Sequence, residues 1–370
     1  MWVSCPQTAL LKAVQIVGRG ISARTTMPIL GYVLMETQKD GIKLTATDLE
    51  LAMQVVEVAA EVKQGGQLTL PARILSEIIG NLPVATVEIK APEGSAQAEI
   101  TCETSHFEIL GLPATDFPTL PRTDGEAVGE VDADVMRMMI NQTIFAVSAD
   151  ETRPFLTGVY TVLDGGEAKF VATDGGRLAL RKAQLPQAAR QKIGVIVPAK
   201  AMQELARALA GVEGAVQLRM ADNQLVFTVP GLRVYSRLIS GQFPNYQQVI
   251  PQEFKQRIRV QTERLLRAVR RASITARDSA NVVRLRAEGK KLTLTSNTPE
   301  VGKAREEVEV AAEGEPIEAA FNARYLMDCL NSIEADELFL ELTGPLSPGA
   351  IRPAHHSDYV YVLAPVRVYS

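Results

Sequence analysis

Polar and apolar residues nearly alternate over residues 86–90, 215–219 and 337–341, a period of two that predicts short strands. Residues 262–277 follow the helical period instead. At 100° per residue, Leu265, Leu266, Val269 and Ala272 share one face. Further helices are predicted near 72–81, 199–210 and 323–333. Asp132 or Asp134 and Thr262 stand where helix caps are expected. Gly-containing turns, Lys39-Asp40-Gly41, Asp164-Gly165-Gly166 and Glu288-Gly289-Lys290, join neighbouring strands. No apolar run approaches the ~18–20 residues a membrane helix needs.

These elements recur in one order. Met27-Pro28-Ile29-Leu30-Gly31 returns as Arg153-Pro154-Phe155-Leu156-Thr157-Gly158, and Ala46-Thr47-Asp48-Leu49 as Ala172-Thr173-Asp174-Gly175. Leu70-Pro71-Ala72-Arg73 returns as Val197-Pro198-Ala199-Lys200, and Phe117-Pro118 as Phe243-Pro244. The offsets are 126, 126, 127 and 126 residues. A fainter third copy places Ser296-Asn297 in the Thr-Asp slot and Phe321-Asn322-Ala323-Arg324-Tyr325-Leu326 in the slot before the second helix. The expectation is three similar domains, 1–122, 126–251 and 252–370, each of two helices on antiparallel sheets, an α+β fold. Each is long enough to own a core.

At 370 residues, 46% apolar and 22% charged, the composition is that of a globular chain. The net charge of −4 excludes a wholly basic nucleic-acid binder but not a local basic surface. Residues 255–277 carry eight basic side chains and a single acid, Glu263. Arg264, Arg267, Arg270 and Arg271 fall within an arc of roughly 120° opposite the apolar face. A solvated face ordinarily mixes signs, so one-signed arginine points to a polyanion held through phosphate contacts. Residues 1–35 add Lys12, Arg19 and Arg24 with no acid, and Arg73, Lys200 and Arg324 open the second helix of each unit. Nothing resembles base readout: there is no zinc finger, no helix-turn-helix and no stacking cluster of aromatics.

Catalytic constellations are missing. There is no Walker loop, GxGxxG or GxSxG. His355-His356-x-Asp358 could hold a metal, but adjacent histidines on a strand point to opposite faces, and a surface loop fits better. Asp48 and Asp174 fit turn caps better than a catalytic pair. Cys5, Cys102 and Cys329 lie far apart without metal spacing, which fits buried thiols in a reducing cytoplasm. Met1 to Ala9 carries no basic residue ahead of its apolar stretch, so a secretory signal is not expected. No metal, no cofactor and no membrane contact are expected, and a binding protein is favoured over an enzyme.

The chain also resembles the bacterial sliding clamp family, the beta subunit of DNA polymerase III, along its whole length. The matching residues are Arg24-x-x-Met27-Pro28-Ile29-Leu30, Ala46-Thr47-Asp48-Leu49-Glu50, Pro71-Ala72-Arg73, Ala114-x-Asp116-Phe117-Pro118, Ala172-Thr173-Asp174-Gly175-x-Arg177-Leu178, Phe243-Pro244-x-Tyr246, Phe321-Asn322-x-x-Tyr325-Leu326 and Tyr361-Val362-Leu363-Ala364-Pro365-Val366-Arg367. The resemblance implies a head-to-tail homodimer ring of clamp domains that encircles double-stranded DNA without reading sequence and tethers the polymerase. Arg24, Arg73, Lys200, Arg264, Arg267, Arg270 and Arg271 would then face DNA. The dimer would form between Phe107 and Ile109 of one chain and Ile274 of the other.

The resemblance further implies a hydrophobic pocket for short peptides of the DNA polymerase III catalytic subunit, the clamp loader, other polymerases and repair proteins. Its matching positions are Leu156, Thr173, Gly175, Arg177, Leu178, Pro244, Val249, Asn322, Tyr325, Leu346, Val362, Leu363, Pro365, Val366 and Arg367. The chain departs from the family pattern at Gly176, Gln248 and Ala364, so a differently shaped pocket is expected there and the residues do not fix its peptide preference; Ala280 and Asn281 depart as well. Two other readings compete on residues alone: a non-ring DNA-binding protein using helix 262–277, and an enzyme with duplicated domains.

Overall fold

The structure, a computed structural model, describes residues 1–21, 27–92, 94–123, 126–276 and 281–367. Arg24, Arg277 and Ala280 lie outside the described residues.

The first repeat opens with strand β1 (Trp2–Pro6) and helix α1 (Gln7–Val17). Strands β2 (Tyr32–Gln38), β3 (Gly41–Thr47), β4 (Leu51–Ala59), β5 (Glu61–Gln64) and β6 (Gln67–Pro71) follow. Helix α2 (Ala72–Asn81) and strands β7 (Thr86–Lys90), β8 (Gln97–Cys102) and β9 (Ser105–Leu110) complete it. The second repeat runs β10 (Gly129–Asp132), α3 (Ala133–Asn141), β11 (Gly158–Asp164), β12 (Glu167–Thr173), β13 (Arg177–Gln184), β14 (Ile193–Pro198), α4 (Ala199–Ala208), β15 (Ala215–Ala221), β16 (Gln224–Val229) and β17 (Leu232–Arg237). The third runs β18 (Gln256–Gln261), α5 (Thr262–Ala272), β19 (Val282–Glu288), β20 (Lys291–Thr298), β21 (Gly302–Glu309), β22 (Ala311–Gly314), β23 (Glu318–Asn322), α6 (Ala323–Ser332), β24 (Glu337–Leu342), β25 (Gly349–Pro353) and β26 (Tyr359–Leu363). Each repeat is thus strand, helix, strands, helix, strands, an α+β unit.

Packing divides the chain into two compact units: residues 1–134, 189–191 and 203–238, and residues 135–188, 192–202 and 239–370. The division passes through the middle repeat because its strands are shared out. In the first unit β10, β15, β16 and β17 continue edge to edge into β4, β3, β2 and β6 as one eight-stranded sheet. A five-stranded sheet, β5-β1-β7-β8-β9, accompanies it. In the second unit β14, β11, β12 and β13 continue into β26, β25, β24, β18 and β22 as one nine-stranded sheet, beside a four-stranded sheet β21-β20-β19-β23. The repeat is legible in the sequence, but the sheets run on from one repeat to the next.

The helices bury apolar faces, α5 the predicted one. In α1, Leu10, Ala13, Val14 and Val17 are buried, and α1 packs on α2. In α5, Leu265, Leu266, Ala268, Val269 and Ala272 are buried, and α5 packs on α6. Burying each large aliphatic side chain contributes about 1.5–3 kcal/mol.

The two Thr-Asp motifs build the same turn. Asp48 Oδ1 accepts the Glu50 and Leu51 N–H groups, and Asp174 Oδ1 accepts those of Gly176 and Arg177. Thr47 Oγ1 accepts from Leu49 N–H and donates to the Leu51 carbonyl; Thr173 does the same with Gly175 and Arg177. Both acids are turn caps, as expected. The turn needs a left-handed residue, Gly175 at φ 94° in one copy and Leu49 at φ 77° in the other.

Two expectations are corrected. In the third repeat Ser296 and Asn297 are not in a turn, because β20 runs on through them; the Ser296 hydroxyl donates to the Ala272 carbonyl instead. Thr262 is not a helix cap: Gln261 holds that position, and the Thr262 hydroxyl donates to the Ala335 carbonyl. In the middle repeat Asp132 Oδ1 does cap, accepting the Asp134 N–H.

Candidate functional site

Helix α5 presents the arginine face outward: Arg264, Arg267, Arg270 and Arg271 are all exposed. The face is less one-signed than the sequence suggested, because β21 brings acid beside it. Glu306 lies 2.6 Å from Arg271 and Glu309 lies 3.7 Å from Arg264. Glu263 meets Arg267 at 2.6 Å, one helical turn away. Arg270 forms no ion pair among the described residues. Arg73 on α2 and Lys200 on α4 are also exposed.

The second unit carries an apolar groove of about 390 Å³. Its floor comes from adjacent strands in register, Thr173 opposite Leu178 and Leu178 opposite Val362. Leu156, Pro244 and Val249 complete the apolar wall, with Gly175 and Arg177 at the turn. Beneath it lies a buried cluster of Leu156, Val171, Leu178, Leu180, Ile196, Phe243, Ala350, Val360 and Val362. Tyr160 stacks on Phe243 at 4.9 Å, and Tyr246 meets both rings edge-on. An aliphatic floor backed by packed aromatic rings suits large apolar side chains.

Arg177 is fixed before any ligand arrives. Its Nε donates to Asp174 at 3.0 Å and its Nη1 to Asp328 at 2.5 Å, and the guanidinium lies 4.2 Å from the Tyr325 ring centre. Burial works against its charge, but Asp328, Tyr361 and Asp174 together hold the proton on more firmly than in water. Gly176 leaves room beside Tyr325: a Cβ there would sit 3.3 Å from the ring.

The remaining candidate positions lie outside the groove wall. Leu363 is buried on the other face of β26, since a strand alternates and Val362 already faces the groove. Asn322 spends its side chain capping α6, accepting from Arg324 and Tyr325 N–H. Tyr325 stands behind Gly176 against Arg177. Leu346 is 61% exposed, on the loop that supplies Pro348 to the lining. The segment with half-buried Pro365 and Val366 and exposed Arg367 is anchored by two backbone bonds, Ala364 N–H to Gly176 and Val366 N–H to Ala320.

Arg153, Phe155, Gly176, Asn245, Tyr246, Pro348 and Ala364 also line the groove. The Arg-Pro-Phe-Leu repeat motif and the Phe-Pro-x-Tyr motif were the available signals for Arg153, Phe155 and Tyr246.

Phe107 lies on β9, an edge strand of the five-stranded sheet, and is 38% exposed. Ile109 is only 6% exposed and offers no free surface; its neighbour Leu110, at 72%, does. Ile274 follows α5 and is 56% exposed.

His356 Nδ1 lies 2.7 Å from Asp358 Oδ1 on an exposed loop. Among the described residues no group of three or more His, Cys, Asp or Glu could hold a metal ion, and no helix is long and apolar enough to cross a membrane. All three cysteines are buried; burial pushes the Cys5 thiol up to about 12, leaving no reactive thiolate at neutral pH.

An α+β unit thus recurs three times, with a basic helix face on the third copy and an apolar groove in the second compact unit. Family models for the N-terminal, central and C-terminal domains of the DNA polymerase III beta subunit match residues 1–121, 130–245 and 247–367. The chain belongs to the DNA polymerase III beta subunit family. It is 34% identical to the Beta sliding clamp of Bacillus subtilis (strain 168) over 370 residues, covering 97% of this chain and 98% of that one. The crystal structure of the DNA polymerase sliding clamp from Bacillus subtilis matches all of both chains with a TM-score of 0.95 at 33% identity. That of the DNA polymerase III subunit beta from Pseudomonas aeruginosa matches 99% of this chain and 100% of its own, with a TM-score of 0.93 at 30% identity. Sliding-clamp function, without enzymatic activity, comes with that membership.

Proposed function

We propose that this chain forms a head-to-tail homodimer ring that encircles double-stranded DNA, slides along it and tethers the DNA polymerase III catalytic subunit. The domains are 1–122, 126–251 and 252–370. The observation that carries the reading is the arginine face of α5 in a member of the clamp family. Arg73, Lys200, Arg264, Arg267, Arg270 and Arg271 attract phosphates from the helices, and Arg24 adds its charge to theirs. The glutamates beside Arg264, Arg267 and Arg271 offset part of that charge, and salt screens the exposed remainder, so the attraction stays weak. Weak contacts suit a protein that must move while topologically linked.

The apolar groove receives short peptides of the polymerase, the clamp loader, other polymerases and repair proteins, in the cytoplasm. Ring closure uses β9, whose edge leaves backbone groups unpaired, with Phe107 and Leu110 exposed beside them. It meets the partner's third domain around Ile274. Two copies of such a heterologous contact close if the rotation permits.

Light scattering on the purified chain at micromolar concentration is expected to give a species near twice 40.2 kDa. Phe107→Asp with Leu110→Asp is expected to halve that mass. A wild-type monomer at these concentrations would contradict the ring.

A further inference from the structure

A second, polar trough of about 410 Å³ adjoins the apolar groove, and Tyr246 lines both. Strand register relates the two. On β12, β13 and β26 the groove row is Thr173, Leu178 and Val362; the next row on the same face is Val171, Leu180 and Val360. One step further, Lys169 stands directly opposite Lys182. Leu180, Val360 and both lysines line the trough, so one sheet face runs continuously from apolar to basic. From Leu178 to Lys182 the rise is about 13 Å at ~3.3 Å per residue.

Like charges directly opposed across strands are ordinarily destabilising. The internal acid compensates incompletely. Glu167 alone serves both lysines, at 2.7 Å from Lys169 and 3.7 Å from Lys182. Glu341 is likewise shared, between Arg352 of the trough at 3.1 Å and Arg257 at 3.0 Å. Asp358, which also lines the trough, is engaged by Arg181 and His356, each at 2.7 Å. The trough therefore keeps an excess of positive charge.

We propose that this trough binds an acidic side chain of the same linear peptide whose apolar anchors fill the groove. The acid lies about four extended residues from the anchor, the length that spans the two rows. Lys169 and Lys182 hold its carboxylate, with Arg352 at the far wall. This rests on the groove being the peptide site.

The test is fluorescence anisotropy on the full chain, using labelled synthetic peptides with two large apolar anchors. One peptide carries glutamates on its N-terminal flank, one on its C-terminal flank, and a third carries glutamine on both. One acidic peptide is expected to bind about tenfold more tightly than the glutamine peptide at low salt, as a charge-assisted contact allows. That advantage should vanish in Lys169→Gln/Lys182→Gln and shrink in Lys182→Gln, while the glutamine peptide binds all three proteins alike. Equal affinity of the three peptides for the wild type would overturn the trough and leave the groove standing. An advantage that survives the double substitution would overturn it too. Failure of every peptide to bind would sink the groove reading, and the trough with it.

Discussion

Arg267→Glu, Arg270→Glu and Arg271→Glu together are expected to weaken attraction to DNA, and with it loading onto a circle, by roughly a hundredfold near 0.1 M salt, by loss of about three phosphate contacts and added repulsion. The substitutions leave the folded core alone, because α5 buries Leu265, Leu266, Val269 and Ala272 on its other face. They do set new glutamates beside Glu263 and Glu306, the present partners of Arg267 and Arg271. A modest loss of stability is therefore expected, of the order of 1 kcal/mol. Dimer mass should not change. The deficit should narrow as salt rises, since the wild type loses more than the variant. An amount loaded onto circular DNA equal to wild type, measured by gel filtration, would reject α5 as the DNA-facing element.

Val249→Asp is expected to weaken peptide binding by about 10- to 100-fold while leaving DNA retention intact. Val249 lines the groove yet is about half exposed, so a carboxylate there is solvated in the free protein and folding is spared. A bound apolar anchor would strip that water with no compensating donor, at a cost of about 1.5–3 kcal/mol. Leu178 would be a poorer test: it is buried in the core cluster, and truncating it removes packing as well as the site. Anisotropy with an apolar-anchored peptide reads the effect. Unchanged affinity would place the peptide elsewhere.

The fold was legible where local chemistry decides it. Residues 72–81 and the Asp48 and Asp174 turns follow from short motifs whose hydrogen bonds close within four residues. The alternation over residues 215–219 marks a strand, and that strand extends to Ala221. What stayed hidden is long-range. No periodicity tells that β17 pairs with β4, or β13 with β26, across repeats. Nor does it tell that β21 would carry Glu306 and Glu309 up to the arginines of α5.

The site shows the same division. Leu178 and Val362 share the groove floor because they pair in register. Leu363, adjacent in sequence, turns into the core by the alternation of the strand. Ile109 is buried and Leu110 exposed for a related reason: which side of an edge strand is covered depends on what packs against it. Tyr246 joins the groove through its contacts with Tyr160 and Phe243, which lie on separate elements.

The measurement that bears most directly on a sliding ring is retention on circular against linear DNA. The chain is loaded on a nicked circular plasmid with a clamp loader, isolated by gel filtration, and the plasmid is then cut once. Protein is expected to stay with the circle and to leave the linear DNA from its ends within minutes. Equal retention on both forms would mean that binding is by contact alone, and would contradict encirclement.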